Sequence, residues 1–205
     1  MPLLVGGPQP LAARQGRDNQ RYGELGERLV AGCIPVCWTS PHQSTDTALV
    51  LMVSSRAGKG YAFPKGGWEL DESLEDAARR ETVEEAGVRG TLETPGLGRF
   101  DFSSSKLGRG GEPQRGAAFM FVLHVSEELQ SWPESEERVR EWVPLKLAPA
   151  RCRYAWMRDA LECWVAARGW PPLDPGRHSP SLVWTVGGKV EGDRQHPPES
   201  VSVAL

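Results

Sequence analysis

Three glutamates on one predicted helix constrain this chain more than any other feature. Glu81, Glu84 and Glu85 are spaced i, i+3 and i+4, which places them on the same face of an α-helix. Like charges at this spacing repel by roughly 0.2–0.5 kcal/mol per pair, and the last turns of a helix carry a negative dipole. Such a face is either a solvated acidic surface or a site for a divalent cation. Carboxylate oxygens at high local charge suit Mg²⁺ or Mn²⁺.

The helix that carries these acids is predicted over about residues 73–86. Ser73 is a good N-cap residue, acidic residues follow at positions 75 and 76, and Gly87 is a good C-cap residue. Small and apolar side chains recur every four residues, at Leu74, Ala78, Thr82 and Ala86. The predicted helix therefore has a narrow stripe that can pack against a sheet.

The acids belong to a longer pattern with fixed spacing. Gly66 is followed after five residues by Glu72, and after seven more by Arg80-Glu81. The pattern ends with Glu84-Glu85, one residue, and Gly87-Val88. It resembles the Nudix box, G-x5-E-x7-R-E-U-x-E-E-x-G-U, where U is a bulky apolar residue. The one departure is Thr82 at a U position. This resemblance favours the cation site over the solvated acidic face.

The resemblance extends over about residues 13–168. Three segments are similar to the plant branch of diphosphoinositol-polyphosphate phosphohydrolase-type Nudix proteins. They are ARQGRDNQRYGELGERLVAGCIPV, AFPKGGWELDESLEDAARRETVEEAGV and REWVPLKLAPARCRYAWMRDALE. The resemblance covers the expected domain and leaves the C-terminal tail without a counterpart.

The resemblance implies a metal-dependent hydrolysis of a phosphoanhydride by an activated water. It implies that Glu81 and Glu85 coordinate Mg²⁺ (or Mn²⁺), and that Glu84 is the general base or a further metal ligand. Mg²⁺ neutralises phosphate charge and activates water.

The resemblance also implies supporting roles close to the metal. Glu72 and Arg80 are expected to pair and orient the helix. Gly66 is expected to let the backbone approach the metal, with its carbonyl as a possible ligand.

A polyphosphate substrate also needs cations near the acidic helix. The positions that match phosphate contacts in the resembling family are Arg28, Arg56, Lys65 and Arg138; Arg109 and Arg115 are further candidates in a predicted loop. Lys65 is the strongest of these because it adjoins Gly66. For each of the others, a solvated surface charge is the alternative. Trp68, after the glycine pair, either stacks on a substrate or packs the loop.

The rest of the chain predicts an α/β (α+β) fold, with a mixed β-sheet sandwiched between α-helices. Strands are predicted at 28–38 (interrupted by Pro35), 48–54, 61–63, 99–103, 117–125 and 141–143, and a second helix at 154–168. A loop is expected at Gly66-Gly67 and a long hairpin loop at 105–116. We expect a flexible lead over residues 1–24, a Nudix domain over 25–168 and a Pro-rich, disordered tail over 169–205.

Composition limits the classes of partner. The chain has 24 Lys+Arg against 27 Asp+Glu, a net charge of −3, which argues against a strongly basic nucleic-acid binder. No apolar run approaches the roughly 20 residues that cross a bilayer. Four cysteines are expected to be free thiols in a reducing compartment. We expect a cytoplasmic or nuclear protein, although the acid-free residues 1–17 leave organelle import open; the oligomeric state is open as well.

These observations leave several functions to distinguish. The leading interpretation is a Mg²⁺-dependent pyrophosphohydrolase of diphosphoinositol or diadenosine polyphosphates, and hydrolysis of ADP-ribose or NADH is the alternative within the same class. A catalytically silent Nudix binding module would usually have lost one of the three glutamates. An acidic interaction helix without Nudix chemistry would not depend on a divalent metal.

Overall fold

A computed structural model of the chain describes residues 13–14, 16–55, 60–107 and 113–174. Within these residues the chain forms one mixed sheet with helices on both faces, which confirms the predicted fold class. The strands are β1 (Arg28–Trp38), β2 (Ala48–Ser54), β3 (Tyr61–Ala62), β4 (Lys65–Gly67), β5 (Val88–Leu92), β6 (Gly98–Leu107), β7 (Pro113–Glu128) and β8 (Arg140–Pro144). The helices are α1 (Leu74–Ala86), α2 (Ala148–Arg151) and α3 (Ala155–Ala167), with a short 3₁₀ turn at Leu145–Leu147.

Two long strands form the centre of the sheet. The strand order is β3-β2-β1-β7-β5, and β1 and β7 pair in parallel over Arg28–Val36 and Gly116–His124. The other pairs are antiparallel, with β4 beside the start of β1, β6 beside β7 and β8 beside β2. Because β1 and β7 are covered on both faces, their sequences are nearly continuous apolar runs rather than alternating ones.

The two faces of the sheet carry two separate cores. Val30, Ile34 and Val36 of β1 pack in the core that contains α3, whereas Ala31 and Cys33 pack in the core that contains α1. Small residues on the α1 side let this helix lie close to the sheet. Two tryptophans of α3 lie in the core on the α3 side of the sheet: Trp156 and Trp164.

Several predicted loops are strands. The glycine pair Gly66-Gly67 lies in β4 and pairs with Ala31 and Val30 of β1. The hairpin predicted around 105–116 is confirmed by the antiparallel pairing of β6 with β7, but its loop bounds are wrong, because β6 continues to Leu107 and β7 begins at Pro113. Strand β5 and the short helix α2 were not predicted, and β3 is one residue shorter than predicted.

Proline does not interrupt β1. The antiparallel pairs of β1 end at Gly32 with β4 and resume at Val36 with β2, and Pro35 lies between them. A residue without an amide hydrogen therefore costs no ladder hydrogen bond at this place.

The remaining predictions on the chain have mixed outcomes. All four cysteines are free thiols. No helix among the described residues is long and apolar enough to span a membrane. The domain boundaries stay a prediction, and most of the expected lead (1–12) and tail (175–205) lies outside the described residues.

Helix α1 has the ends that its sequence predicts. The Ser73 hydroxyl accepts a hydrogen bond from the Asp76 amide at 3.1 Å. Gly87 adopts a left-handed conformation, with φ of 63°, and its amide donates to the Val83 carbonyl. The Thr82 hydroxyl donates to the Ala78 carbonyl at 2.7 Å, so this residue satisfies its polar group where the Nudix box has an apolar one.

The C-terminal end of α1 is capped by a residue of strand β8. No basic residue lies in its last turn. Instead, one guanidinium nitrogen of Arg140, in β8, donates to the carbonyls of Ala86 and Gly87 at 3.0 Å each, and the other reaches the Leu129 carbonyl. The same guanidinium stacks 4.2 Å above the Trp132 ring. This cation offsets the negative end of the helix dipole, near which Glu84 and Glu85 add further negative charge.

We expect Arg140→Met to lower the free energy of unfolding by about 1–3 kcal/mol, because three carbonyls lose a charged donor. Urea unfolding measures this loss, and hydrogen exchange should show the last turn of α1 opening first. Arg151→Met is the matched control, since Arg151 forms an exposed pair with Glu141 at 3.3 Å and lies over the Tyr61 ring at 5.5 Å. Equal stability of the two variants would contradict the capping role.

Candidate active site

Three carboxylates are buried together at the end of α1. Glu81, Glu84 and Glu85 retain only 8%, 6% and 7% of their exposure. Burial raises the pKa of Glu81 to about 7, against the opposing effect of Arg80. Burial also raises the pKa values of Glu84 and Glu85. The fold therefore brings together the three acids that their spacing singled out, in a buried environment that disfavours their ionised form.

Arg80 is the first counter-charge of this cluster. Its guanidinium makes two bonds to Glu72, at 2.7 and 2.9 Å, and one to Glu81 at 2.8 Å. It also donates to the Gly67 carbonyl at 2.8 Å. Although burial lowers the pKa of Arg80, its carboxylate partners raise it overall. The expected pairing of Glu72 with Arg80 is present, and the bond from Arg80 to the Gly67 carbonyl joins α1 to β4.

Arg138 is the second counter-charge. It donates to Glu85 and to Glu134 at 2.5 Å each, and to the Ser54 carbonyl at 3.1 Å. Only 12% of its side chain is exposed. Arg138 was a candidate phosphate contact, but its donors face internal acceptors and hold Glu85 in place.

Gly66 lies directly against the carboxylate cluster. A Cβ atom at this position would stand 2.0 Å from an Oε atom of Glu81. Only glycine allows so close an approach of strand and carboxylate. The backbone amide of Lys65, next to it, donates to Glu85 at 3.0 Å. Strand β4 thus brings main-chain atoms to both predicted metal ligands.

Of the other predicted phosphate contacts, the structure describes Arg28 and Arg115. Arg28 is half-buried beside Gly67 and donates to the Gln20 side chain at 2.6 Å. Burial lowers the pKa of Arg28, and the nearby charges of Glu81 and Glu85 oppose this. Arg115 is exposed on β7. Arg56 and Arg109 lie outside the described residues.

Trp68 packs the loop rather than facing open space. Its indole nitrogen donates to the Glu72 carbonyl at 3.2 Å, and its ring meets Phe119 edge to face. The Arg21 guanidinium covers the ring at 4.4 Å. Packing, the second interpretation of this residue, accounts for these contacts.

Sequence reasoning missed one residue that touches the cluster. The Arg14 amide donates to Glu84 at 3.3 Å, and its guanidinium pairs with Glu69 at 2.5 Å and Asp71 at 3.1 Å. Only the resemblance, which begins near residue 13, pointed to this segment. No local pattern predicts a contact between residues 70 positions apart.

The donor set is of the kind that a divalent cation takes. No three Asp, Glu, His or Cys side chains in the described part of the chain converge closely enough to form a complete site by themselves. Glu81 and Glu85 do meet the backbone of β4, however, and their pKa values are raised because burial exceeds the available counter-charge. An ion held by two carboxylates and main-chain oxygen would supply that charge, which fits Mg²⁺ or Mn²⁺.

Known proteins resemble this chain in sequence and in structure. The NUDIX domain model matches residues 30–163. Nudix hydrolase 4 of Arabidopsis thaliana is 46% identical over 158 residues, which cover 76% of this chain and 73% of that protein. The mitochondrial Nudix hydrolase 16 of the same plant is 48% identical over 157 residues, covering 74% and 86%. The crystal structure of a C. elegans Ap4A hydrolase binary complex has a TM-score of 0.50 at 21% identity, covering 69% of this chain and 97% of that one.

The family match spans the pattern from Gly66 to Val88. The structural likeness, at low identity, supports the fold alone. On the family match and the relatives above 45% identity, the chain belongs to the NUDIX domain family, as a relative of plant Nudix hydrolases.

Proposed function

We propose that the chain is a Mg²⁺-dependent pyrophosphohydrolase of diphosphoinositol polyphosphates or diadenosine polyphosphates. Its family membership already makes it a Nudix hydrolase, which acts on phosphoanhydride bonds. The observation that carries the proposal is the burial of Glu81, Glu84 and Glu85 against the glycine strand β4. Such burial has an electrostatic cost that a bound divalent cation would offset.

The proposed roles follow from the contacts. Glu81 and Glu85 would hold the metal, with main-chain oxygen at Gly66 as a further candidate. When bound, Mg²⁺ supplies charge neutralisation and makes a bound water more acidic. Glu84 accepts a proton in this scheme, since burial raises its pKa and so its affinity for one.

Other residues position these groups. Arg80 and Glu72 fix the carboxylates of α1 relative to β4, and Arg138 fixes Glu85. Arg28 and Lys65 remain the proposed phosphate contacts, because Arg28 is half-buried beside Gly67 and Lys65 is the half-buried first residue of β4. The partner is a small polyphosphate, and nothing in this scheme requires a nucleic acid.

Three alternatives stand beside this proposal. Hydrolysis of ADP-ribose or NADH would use the same carboxylates, so substrate measurements must separate it. In a silent binding module, the burial of three carboxylates whose like charges repel one another would have no benefit. The interpretation as an acidic interaction helix is also weak, because the acids face the interior.

The cellular compartment is a separate proposal. One relative carries "mitochondrial" in its name, and the names of these relatives give no support to the expected cytoplasmic or nuclear location. Organelle import, which the acid-free residues 1–17 left open, is the placement that we propose.

A substrate panel tests the function directly. The purified chain should release phosphate or nucleotide from a diphosphoinositol polyphosphate or a diadenosine polyphosphate when Mg²⁺ is present, whereas release from ADP-ribose alone would favour the alternative. EDTA should abolish this release. Absence of release with every substrate, in Mg²⁺ and in Mn²⁺, would contradict the proposal.

We expect Glu84→Gln to lower turnover by about 100-fold or more, because the amide cannot accept the proton. Its fold should be intact, since the amide keeps the volume of the carboxyl group and removes one buried charge. Glu75→Gln, in the first turn of the same helix, is the matched control and should retain full activity. Full turnover by Glu84→Gln would remove this residue from the proposed role.

The metal-free protein should show a stability that depends on Glu81 and pH. The folded chain binds the Glu81 proton with a pKa of about 7 against an ordinary 4.5, so stability should fall as pH rises between these values. Glu81→Gln carries no titrating group and should become more stable relative to the wild type over that window. Urea unfolding in EDTA at about pH 5 and about pH 8 measures the difference. If the free energies of unfolding of Glu81→Gln and the wild type differed by the same amount at both pH values, the raised pKa of Glu81 would be contradicted.

A further inference from the structure

Gln20 is a buried amide to which the proposed chemistry gives no role. Only 7% of this residue is exposed, although it lies in the segment before the first strand. Its amide nitrogen donates to the carbonyls of Arg21 and Leu29 at 2.8 Å each, and to that of Trp68 at 3.2 Å. Its amide oxygen accepts from the Nε atom of Arg28 at 2.6 Å. The side chain therefore links the segment before β1 to β1 itself and to the residue that follows β4.

These contacts fix the orientation of the Gln20 amide. Its nitrogen faces three carbonyl oxygens, which only an N–H group can satisfy. A rotated amide would place its oxygen against those carbonyls and its N–H groups against a guanidinium, so all of these contacts would become repulsive. The amide therefore presents its one acceptor in a fixed direction, toward the Nε–H group of Arg28.

Arg28 is held by its Nε–H group alone, which leaves its two terminal nitrogens for another partner. In the described part of the chain, Gln20 is the one hydrogen-bond partner of the Arg28 side chain, and no carboxylate forms an ion pair with it. Arg80 and Arg138, the counter-charges of the carboxylate cluster, both donate to carboxylates instead. A half-buried cation without an ion-pair partner has lost part of its hydration, and an anionic ligand would replace it.

The terminal nitrogens of Arg28 lie against the glycine strand. A Cβ atom at Gly67 would stand 2.5 Å from the Gln20 amide oxygen and 3.0 Å from one of these nitrogens. Burial and the charge of Arg17 lower the pKa of Arg28, and the charge of Glu81 raises it. The unpaired guanidinium therefore lies beside β4 and within the electrostatic field of a proposed metal ligand.

We propose that Gln20 is a positioning residue for substrate phosphate and acts through Arg28. It holds the Nε–H group so that the terminal nitrogens of the guanidinium are directed at an anion beside β4. A neutral amide orients this cation without neutralising it, whereas a carboxylate in its place would form an ion pair that competes with the ligand. Holding the guanidinium before the ligand arrives lowers the entropic cost of binding. The inference rests on the proposed function, in which Arg28 contacts phosphate.

Calorimetry with methylenediphosphonate in the presence of Mg²⁺ tests this role. The P–C–P bridge of this diphosphate analogue is not hydrolysed, so binding is measured without turnover. Arg28→Met should weaken binding by roughly 10-fold or more, because a charge-assisted contact is lost. Gln20→Met should weaken it by roughly 5-fold in the wild type, but by less than about twofold in the Arg28→Met background.

The matched control is another glutamine that accepts from an arginine. The Gln43 side chain, in the turn between β1 and β2, accepts from Arg168 at 3.2 Å in an exposed pair. Gln43→Met should bind methylenediphosphonate like the wild type.

Hydrogen exchange of the Arg28 Nε–H group, followed by NMR, gives a readout that does not depend on affinity. This proton should exchange slowly with water in the wild type and in Gln43→Met, and faster in Gln20→Met. If Gln20→Met does not fold, Gly67→Ala takes its place, because the added Cβ would displace the Gln20 oxygen. Gly67→Ala should then weaken binding when Arg28 is present and leave it unchanged in the Arg28→Met background.

The dependence on Arg28 separates positioning from a purely structural role. If Gln20 only stabilised the segment before β1, its substitution would weaken binding by the same factor with and without Arg28, and this result would overturn the inference. Failure of the wild type to bind the analogue, or equal binding and equal exchange in wild type and Gln20→Met, would also overturn it. A loss of binding that requires Arg28 supports the inference even if every hydrolysis assay fails, so the two proposals can fail separately.

Discussion

The burial of three like charges at the end of one helix is the constraint on which the rest of the structure depends. Glu81, Glu84 and Glu85 lie where burial, their mutual repulsion and the helix dipole all oppose ionisation. Two arginines compensate in part: Arg80 lies next to Glu81 on α1, and Arg138 reaches in from the segment before β8. A domain that needed only a stable core would have no reason to accept this cost.

The fold can be understood as the support of that cluster. Parallel pairing of β1 with β7 builds a sheet buried on both faces, and small residues let α1 lie close to it. Strand β4 then brings Gly66 against Glu81, where any side chain would collide. Arg140 holds the end of α1 from β8. Apart from β4 and α1, which are consecutive in the chain, these contacts join elements that are distant in sequence.

How much the sequence predicts depends on the range of the interaction. The ends of α1 follow from Ser73 and Gly87, because capping is local. Long apolar strands were predicted because a run of apolar residues is also a local signal. Strands β4 and β5 were missed because glycine-rich and short segments carry weak strand signals. Arg140 and Arg14 could not be assigned, because their partners are set by tertiary packing. Arg138 was identified as a cation near the site, but only the structure shows that it faces Glu85.

The central claim is that the buried carboxylates and the glycine strand together hold a divalent cation. Anomalous diffraction from crystals soaked in Mn²⁺ tests it most directly. The account predicts one strong peak within coordination distance of Glu81, Glu85 and the main chain of Gly66. It also predicts loss of that peak in Glu85→Gln. Absence of a peak at this place in well-diffracting crystals, or a peak only at another group of carboxylates, would contradict the account.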